Sequence, residues 1–335
     1  MIRRPPRSTQ GVSSAASDVY KRQVLADPPE HNIFDAVKLF DDFGADGVIG
    51  FGGGSSMDVA KAVSYFSINK ISISECYGVN KLVNKRSPLI QIPTTAGTGS
   101  ELTPIAIFTL QSEQKMGIVD PLLYADYAIL DADLTLGLPA NITAYSGIDA
   151  MVHAIEGYIV PGFHPLCDGA ALESLSLISK SLHLAVEEPD NLAARGAMLV
   201  ASMLGGIAFI KGLGLVHAIA HMVGAEYNTH HGLTNAIILP TVLRYNLPTL
   251  EEKVKRMSQA LQYEDATVAT FIANQEKLLD RFNIPKGLNE IGVPEDCVDR
   301  IAKKSMVDTA FGTNPIDANI NDMKKLVLAS IVKAR

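Results

Sequence analysis

The chain has 335 residues, of which 47% are hydrophobic and 19% charged, and its formal net charge is −7 at pH 7. This much apolar material argues against intrinsic disorder, and the negative charge argues against nucleic-acid binding. Cysteines 76, 167 and 297 are too far apart for a disulfide framework or a thiolate zinc site, and they fit a reducing compartment. The uncharged stretch 196–210 is shorter than the ~20 residues that cross a bilayer. We expect a cytoplasmic protein of about two domains, without membrane or nucleic-acid partners.

Residues 1–23 differ in composition from the rest of the chain. They contain five basic residues and one acidic residue, whereas the remaining residues carry a net charge of −11. The segment lacks the apolar stretch of a signal peptide, although its Arg- and Ser-rich composition superficially resembles that of a mitochondrial transit peptide. Its string of residues resembles translated sequencing-adapter sequence. We therefore expect a non-native or disordered tail that does not belong to the fold.

Predicted helices and strands alternate in the first half of the remaining chain. Apolar residues at helical spacing predict a helix over 32–43, and a short apolar run predicts a buried strand over 46–51. A second helix is predicted over 55–63, with Ser55 as its N-cap and Asp58 near the positive end of its dipole. Further strands are predicted at 89–92, 105–110, 116–119 and 127–130. The alternation favours a Rossmann-like, mostly parallel sheet.

The second half of the chain contains no predicted strand. Helical patterns follow one another at 142–158, 166–186, 191–210, 216–227, 250–262, 266–282 and 320–332. We therefore predict an α/β domain over 24–138, followed by an all-helical domain over 139–335.

Two polar loops follow predicted strands of the α/β domain. The loop 52–55 (GGGS) joins a strand to a helix, and this arrangement holds phosphate because helix N-terminal N–H groups face the anion. Alone it is a weak signal, since it lacks the GxGxxG spacing and glycine turns are common in α/β proteins. The loop 93–101 (PTTAGTGSE) adds four hydroxyls and two glycines after the next predicted strand. Together the loops favour dinucleotide binding over two plain turns.

Carboxylate and imidazole groups recur at helical spacing in the second half. Asp149 and His153 are four residues apart, as are His217 and His221, so each pair shares one helix face. With His231, a carboxylate and several imidazoles are available for a borderline divalent metal. Taken singly, each residue is better explained by an ion pair or a buried core histidine. Taken together, on apolar helices where an unpaired charge is costly, they favour a metal site.

The HxxxH spacing also occurs in zinc proteases, but the details differ here. Those enzymes carry a glutamate directly after the first histidine as general base, whereas Ala218 stands at that position in this chain. A hydrolytic reaction would therefore lack its base.

Several long motifs resemble those of the iron-containing (group III) alcohol dehydrogenases. These motifs are GGGSSMDVAKAV (52–63), PTTAGTGSELT (93–103), KMGIVDP (115–121), DADLTLGLP (131–139), DAMVHAIEGY (149–158) and GLGLVHAIAHMVGAEYNTHHGLTNAIILP (212–240). The resemblance extends from about residue 27 to the C-terminus. It implies a homo-oligomeric enzyme that transfers hydride between NAD or NADP and a small alcohol, aldehyde or ketone.

The resemblance also assigns roles to individual residues. It implies that Asp149, His153, His217 and His231 bind the metal and that His221 lines the active site without binding it. It implies dinucleotide contacts by Gly53, Gly54, Ser55, Thr94, Thr95, Thr98, Thr103 and Lys115. We further expect His221 and Asp58 to be catalytic and Thr135 to contact the dinucleotide. His230 has no counterpart among the family's ligands. Four protein ligands would fill a tetrahedral zinc, so Fe(II), which accepts more ligands, is expected, with Zn(II) as the alternative.

Other functions remain open from the sequence. Glycerol dehydrogenase and dehydroquinate-synthase-like enzymes share this plan, although the 93–101 loop and the Asp149/His153 pair favour alcohol dehydrogenases. A metallohydrolase or a truncated, non-catalytic chain are further alternatives. In the family a strand–helix–strand unit precedes the glycine loop, whereas only residues 24–51 do so here. We therefore expect a nucleotide domain that is incomplete at its N-terminal end, which leaves the choice between NAD and NADP open.

Overall fold

The computed structural model describes residues 24–110 and 115–335. The predicted non-native tail, residues 1–23, lies outside the described residues, so it stays a prediction. The described strands are Val48–Gly52 (β1), Gly78–Val79 (β2), Leu89–Pro93 (β3), Ile105–Thr109 (β4), Lys115–Val119 (β5) and Tyr127–Ala128 (β6). All five predicted strands are present, although β6 covers only two of the four residues predicted for it. The two-residue strand β2 was not predicted.

The strands form two three-stranded sheets in place of the single predicted sheet. In the first sheet the order is β1-β3-β6 and both pairings are parallel. In the second sheet the order is β2-β5-β4, with β2 parallel and β4 antiparallel to β5. The mostly parallel, Rossmann-like character of this region is thus confirmed. The parallel pair β1–β3 brings the carboxyl ends of two strands to one edge, where the polar loops follow.

Helix Gly54–Phe66 (α2) packs on these sheets, and helix Glu30–Phe43 (α1) packs on α2. They share a small core with the strands, built from fully or nearly buried side chains that include Ile33, Val63 and Phe108. Helix α1 ends at Gly44, whose φ of +60° is a left-handed conformation that glycine adopts without a steric penalty.

The chain from residue 140 to 335 is helical and contains no strand. Its helices are Ala140–Ile159 (α3), Pro165–Glu187 (α4), Leu192–Ala208 (α5), Leu215–Tyr227 (α6), His231–Asn246 (α7), Glu251–Ala260 (α8), Val268–Arg281 (α9), Val298–Ser305 (α10) and Ile320–Val332 (α11). Helix α3 packs against α4, α5 and α7. Nearly all of its residues from Thr143 onwards are buried, so polar side chains on α3 face other protein groups and not solvent.

The prediction missed two of these helices. Helix α7 contains Pro240, which in sequence indicates a helix end, and most of its residues are buried, so no polar stripe marks its period. Helix α10 spans only eight residues, too short for the periodic pattern to stand out.

One helical segment, Leu192–Lys211, is long and apolar enough by length and composition to cross a membrane. Half of its apolar window is buried in this structure, where α5 packs against α3 and α4. A core helix of a globular protein meets the same criteria, so the segment is weak evidence for a membrane span.

Candidate metal and nucleotide site

The two polar loops lie against each other at the edge of the first sheet. Gly52 at the end of β1 is paired with Pro93 at the end of β3, and the N–H of Thr94 donates to the carbonyl of Gly52 at 2.9 Å. A Cβ added to Gly54 would come within 2.7 Å of the Thr98 side chain. The loops are thus one continuous surface, and their contact leaves no room for a side chain at residue 54.

The start of α2 differs from the sequence prediction. The helix begins at Gly54 with Gly53 as its N-cap residue, and no side chain caps it, so the predicted capping role of Ser55 is wrong. A glycine turn starts this helix, and Ser55 lies in its first turn. Gly53 faces Thr95, whose hydroxyl would be 3.4 Å from an added Cβ. The first N–H groups of α2 therefore have no side-chain cap and can bind a phosphate.

Asp58 and Lys61 fasten α2 to the second loop. One Asp58 oxygen accepts from the Ser100 hydroxyl at 2.6 Å and the other from the Ile107 N–H at 3.1 Å. Lys61 is fully buried, and its Nζ lies 2.7 Å from the Ser100 hydroxyl and 2.6 Å from the Ile105 carbonyl. Burial lowers the pKa of Lys61, against the opposing effect of Asp58. These contacts position the second loop against α2, and the catalytic role expected of Asp58 stays a prediction.

Two further residues predicted to contact the dinucleotide form hydrogen bonds within the protein. The Thr103 hydroxyl is buried and accepts from Lys61 Nζ at 3.2 Å. The Thr135 hydroxyl is buried as well and donates to the Ala132 carbonyl at 2.8 Å. Both threonines therefore support the fold around the loops, whichever contact they make with a ligand.

Lys115 is the first residue of β5 and lies next to helix α6. Its Nζ is 2.7 Å from Asp27 Oδ1, and the pair packs on Gly224 of α6, where an added Cβ would lie 3.4 Å from Nζ. The positive charge of Lys115 also contributes to the low pKa of His231, after the larger effect of burial. The dinucleotide contact expected of Lys115 stays a prediction.

Asp149, His153, His217 and His231 come together in the helical region. Each offers one ligand atom, and these four atoms lie within 4.8 Å of one another. Asp149 and His153 come from one face of α3, His217 comes from α6, and His231 is the first residue of α7. Three imidazole nitrogens and a carboxylate oxygen, all largely buried, are a donor set that fits a borderline divalent metal.

A glycine at the start of α7 permits this convergence. A Cβ at Gly232 would lie 2.4 Å from the Tyr145 carbonyl and 3.2 Å from the Asp149 Cβ. Any side chain at residue 232 would therefore push α7 away from α3. His231 would then move away from the other ligand atoms.

Hydrogen bonds orient two of the imidazoles. His217 Nδ1 lies 2.6 Å from Glu156 Oε2, and His153 Nδ1 lies 3.2 Å from the Gly97 carbonyl. Because a carboxylate and a carbonyl only accept, both Nδ1 atoms carry the proton, and each Nε2 keeps its lone pair for a metal. The Gly97 contact also ties the metal cluster to the second nucleotide loop.

Burial affects the two imidazoles differently. It lowers the pKa of His153 to about 4, despite the nearby charge of Asp149. Burial also lowers the pKa of His217, but the hydrogen bond and charge of Glu156 outweigh it, so that the pKa is raised. Glu156 is 1% exposed and its second oxygen accepts from the Val216 N–H at 2.8 Å. The glutamate is thus a fixed partner of His217. This role was not identified from the sequence, although Glu156 follows His153 by three residues on the same helix.

His221 lies next to the cluster without joining it. Its ring centroid is 5.7 Å from that of His217 and 5.6 Å from that of His231. Its Nδ1 lies 3.0 Å from Asp308 Oδ2, which sequence reasoning did not identify. Burial raises the pKa of Asp308, but the charge and hydrogen bond of His221 and the Ala310 N–H outweigh it, so that the pKa is lowered.

His230 has a local role. Its ring Nδ1 accepts from the Leu233 N–H at 3.4 Å and caps α7, and the ring packs edge-on against Tyr145. His230 lies outside the four-residue cluster. The family resemblance likewise assigned no metal-binding role to it.

Comparisons with known proteins identify the family. The family model described as "Fe-containing alcohol dehydrogenase family, C-terminal" matches residues 143–331, and that described as "Iron-containing alcohol dehydrogenase" matches residues 9–132. The chain belongs to the iron-containing alcohol dehydrogenase family. The N-terminal match begins inside residues 1–23, and the non-native character of that segment is not tested by it.

Individual iron-containing alcohol dehydrogenases and their relatives align with most of this chain. The NAD-dependent methanol dehydrogenase of Bacillus methanolicus is 34% identical over 309 residues, which is 90% of this chain and 81% of the relative. A solved 1,3-propanediol oxidoreductase superposes with a TM-score of 0.88 at 32% identity, covering 92% of this chain and 83% of its own. The sulfoacetaldehyde reductase of Bifidobacterium kashiwanohense, solved in complex with NAD+, gives a TM-score of 0.84 at 27% identity, covering 92% and 82%.

The family assignment establishes the class of reaction. The chain is an iron-dependent alcohol dehydrogenase that uses a nicotinamide dinucleotide and acts on small alcohols or aldehydes. The glycerol-dehydrogenase-like and hydrolytic alternatives are therefore not supported. The four-residue donor set fits the iron that this family contains.

Proposed function

We propose that Asp149, His153, His217 and His231 hold Fe(II) and that the loops 52–55 and 93–101 hold the dinucleotide, so that a short alcohol is oxidised between them. The observation that carries the proposal is the convergence of the four ligand atoms within 4.8 Å at a point tied to the nucleotide loop by the His153–Gly97 hydrogen bond. The names of the relatives, which include methanol and 1,3-propanediol enzymes, support a short substrate.

Each part of the site then has a chemical task. Iron held by the four residues would supply a positive charge that lowers the pKa of a substrate hydroxyl, and a bound nicotinamide dinucleotide would supply the hydride acceptor. Glu156 and Gly97 hold His217 and His153 with Nε2 facing the cluster. The free N–H groups at the start of α2 bind phosphate, and Thr94, Thr95 and Thr98 line the neighbouring loop.

His221 is placed to handle the substrate's proton. Its Nδ1 is fixed by Asp308, so Nε2 is the nitrogen that is free to accept a proton or to orient the hydroxyl. Asp308 keeps its negative charge because its pKa is low, and it stabilises the positive imidazolium that proton acceptance would create. His221 is therefore the proposed proton-accepting residue.

The test is a reconstitution and assay of the purified protein. We expect Fe(II)-dependent turnover of short alcohols or aldehydes with NAD(H) or NADP(H). Each cofactor is assayed with each substrate. His217→Ala should lose turnover and most bound metal by elemental analysis. The matched control His31→Ala, at an exposed histidine of α1, should keep both. Full metal retention in His217→Ala would contradict this ligand set. The homo-oligomer that the resemblance implies is tested by light scattering on the same preparation.

A further inference from the structure

Asn235 contacts three of the four candidate metal ligands. It lies on α7 one turn after His231 and is fully buried. Its Nδ2 lies 2.6 Å from Asp149 Oδ1, 3.1 Å from His217 Nε2 and 3.1 Å from His231 Nε2. One amide nitrogen thus lies among the atoms that would bind a cation.

The neighbours of Asn235 decide which end of its amide faces the cluster. The Asp149 carboxylate only accepts hydrogen bonds, so a carbonyl oxygen at 2.6 Å from it would be repelled, whereas an NH2 group donates to it. His217 Nε2 also offers a lone pair, because its Nδ1 proton is donated to Glu156. The orientation leaves Asn235 Oδ1 buried without a partner among the described residues. The contacts with the ligands therefore outweigh an unsatisfied carbonyl.

Without a cation the ligand atoms form an unfavourable group. Several lone pairs and one negative charge converge in a buried space, where their mutual repulsion is only weakly screened. The two N–H bonds of Asn235 carry partial positive charge into this space. These N–H groups reduce the repulsion between the ligand atoms, as a bound metal ion would do more strongly.

We propose that Asn235 acts as a placeholder in the metal-free enzyme, and that a metal ion must displace its amide from His217 and His231. An amide NH2 has no lone pair to offer a metal, and it occupies the imidazole lone pairs of His217 and His231 that a metal would need. The hydrogen bond to Asp149 can persist, since a carboxylate has further lone pairs, but the two imidazole nitrogens cannot serve both partners. Asn235 is thus a positioning residue that stabilises the empty site and weakens metal binding.

The test measures metal affinity and stability in place of turnover, and it rests on the proposed ligand set. Metal-free wild type and Asn235→Leu are titrated with Co(II) against a competing chelator, and thermal unfolding is followed with and without Co(II). Leucine keeps the side-chain size but removes all three hydrogen bonds. We expect about tenfold tighter Co(II) binding in the variant, equivalent to one or two neutral hydrogen bonds. The melting temperature of the metal-free form should fall more than that of the Co(II) form.

A second variant and a control sharpen the result. Asn235→Asp places another carboxylate beside Asp149, so it should destabilise the metal-free form further and bind Co(II) tighter still. Asn246→Leu is the matched control, because Asn246 is a buried asparagine on the same helix whose side chain hydrogen-bonds to Asn314 and to none of the four candidate ligands. It should lower the stability of both forms equally and leave the Co(II) affinity unchanged.

The outcomes separate this inference from the proposed function. If wild type does not bind Co(II), the ligand set itself fails. If wild type binds Co(II) and Asn235→Leu loses equal stability in both forms with unchanged affinity, Asn235 is only structural and the placeholder is refuted. Weaker Co(II) binding with an altered d–d spectrum would make Asn235 a ligand, which also overturns the inference.

Discussion

The two halves of the site differ in what they offer to a ligand. In the helical half, the candidate metal ligands are side chains held in place by other buried side chains or by backbone groups. In the α/β half, the candidate dinucleotide contacts are glycines and hydroxyl groups of two loops. His217 is fixed by Glu156, and His221 is fixed by Asp308. By contrast, the start of α2 has no side-chain cap, and the loops are shaped by the close contact of Gly54 with Thr98. A metal site needs defined lone-pair directions, which side chains supply. A phosphate site needs free N–H groups and space, which backbone supplies.

Because individual side chains carry the chemistry in the helical half, removing one reactive side chain there should have the largest effect on catalysis. His221→Ala should keep its metal and lower kcat by ~10²-fold, because the proton loses its acceptor. Asp308→Asn should cause a smaller drop and a changed pH profile of kcat, since the amide supports His221 without a negative charge. Steady-state kinetics across pH, with metal content measured in parallel, check both. Unchanged kinetics across pH in His221→Ala would remove this residue from the mechanism.

Supporting side chains in the helical half should matter through the metal. Glu156→Gln removes the charge that holds His217, and we expect metal affinity to fall by roughly tenfold or more. Competition with a chelator measures the change. Glu226→Gln is the control, because Glu226 lies on the same helix as His217 but pairs with Arg300 at the surface. Equal metal affinity in the two variants would show that the imidazole needs no carboxylate partner.

The α/β half should respond to changes in backbone spacing. Gly54→Ala places a Cβ 2.7 Å from the Thr98 side chain, which must move and separate the two loops. We expect the KM for the dinucleotide to rise by about fivefold to tenfold, because close approach of the backbone to phosphate depends on this spacing. Gly169→Ala, at a helical glycine with no atom within 4 Å of the added Cβ, should leave that KM unchanged. A normal KM in Gly54→Ala would place the dinucleotide elsewhere.

The last effect is on stability and not on catalysis, and it concerns a buried acid beside the nucleotide loop. Burial raises the pKa of Glu101 from 4.5 to about 7, although its backbone hydrogen bond and Lys61 oppose this. Between these two pH values the folded chain binds more protons than the unfolded chain, so Glu101 makes stability fall as pH rises through that window. Glu101→Gln should therefore be more stable by about 2–3 kcal/mol at pH 8 and show no gain at pH 4.

Chemical denaturation at both pH values measures the effect of Glu101→Gln. Replacement of the exposed Glu295 by Gln is the control, and it should show no comparable pH-dependent gain. A gain for Glu101→Gln that is the same at both pH values would mean that side-chain shape, and not the charge, is responsible.

Local sequence determined the parts of this molecule that depend on neighbours along the chain. The two loops, five of the six strands and the i,i+4 pairs on α3 and α6 were predictable, because backbone geometry places such residues on one edge or face. The motifs in these same segments carried the resemblance that the family comparison confirms.

The supporting residues of the site were decided by the tertiary structure. Glu156 and Asp308 stand 61 and 87 positions from the histidines that they contact, and Asn235 stands 18 positions from His217, so no local spacing in the sequence predicts these three pairs. Helix α7, which carries Asn235, contains Pro240 and is mostly buried, so its pattern concealed both the helix and the face that it turns to the cluster. A buried polar group must find its hydrogen-bond partner wherever packing brings one, and packing is a property of the whole fold.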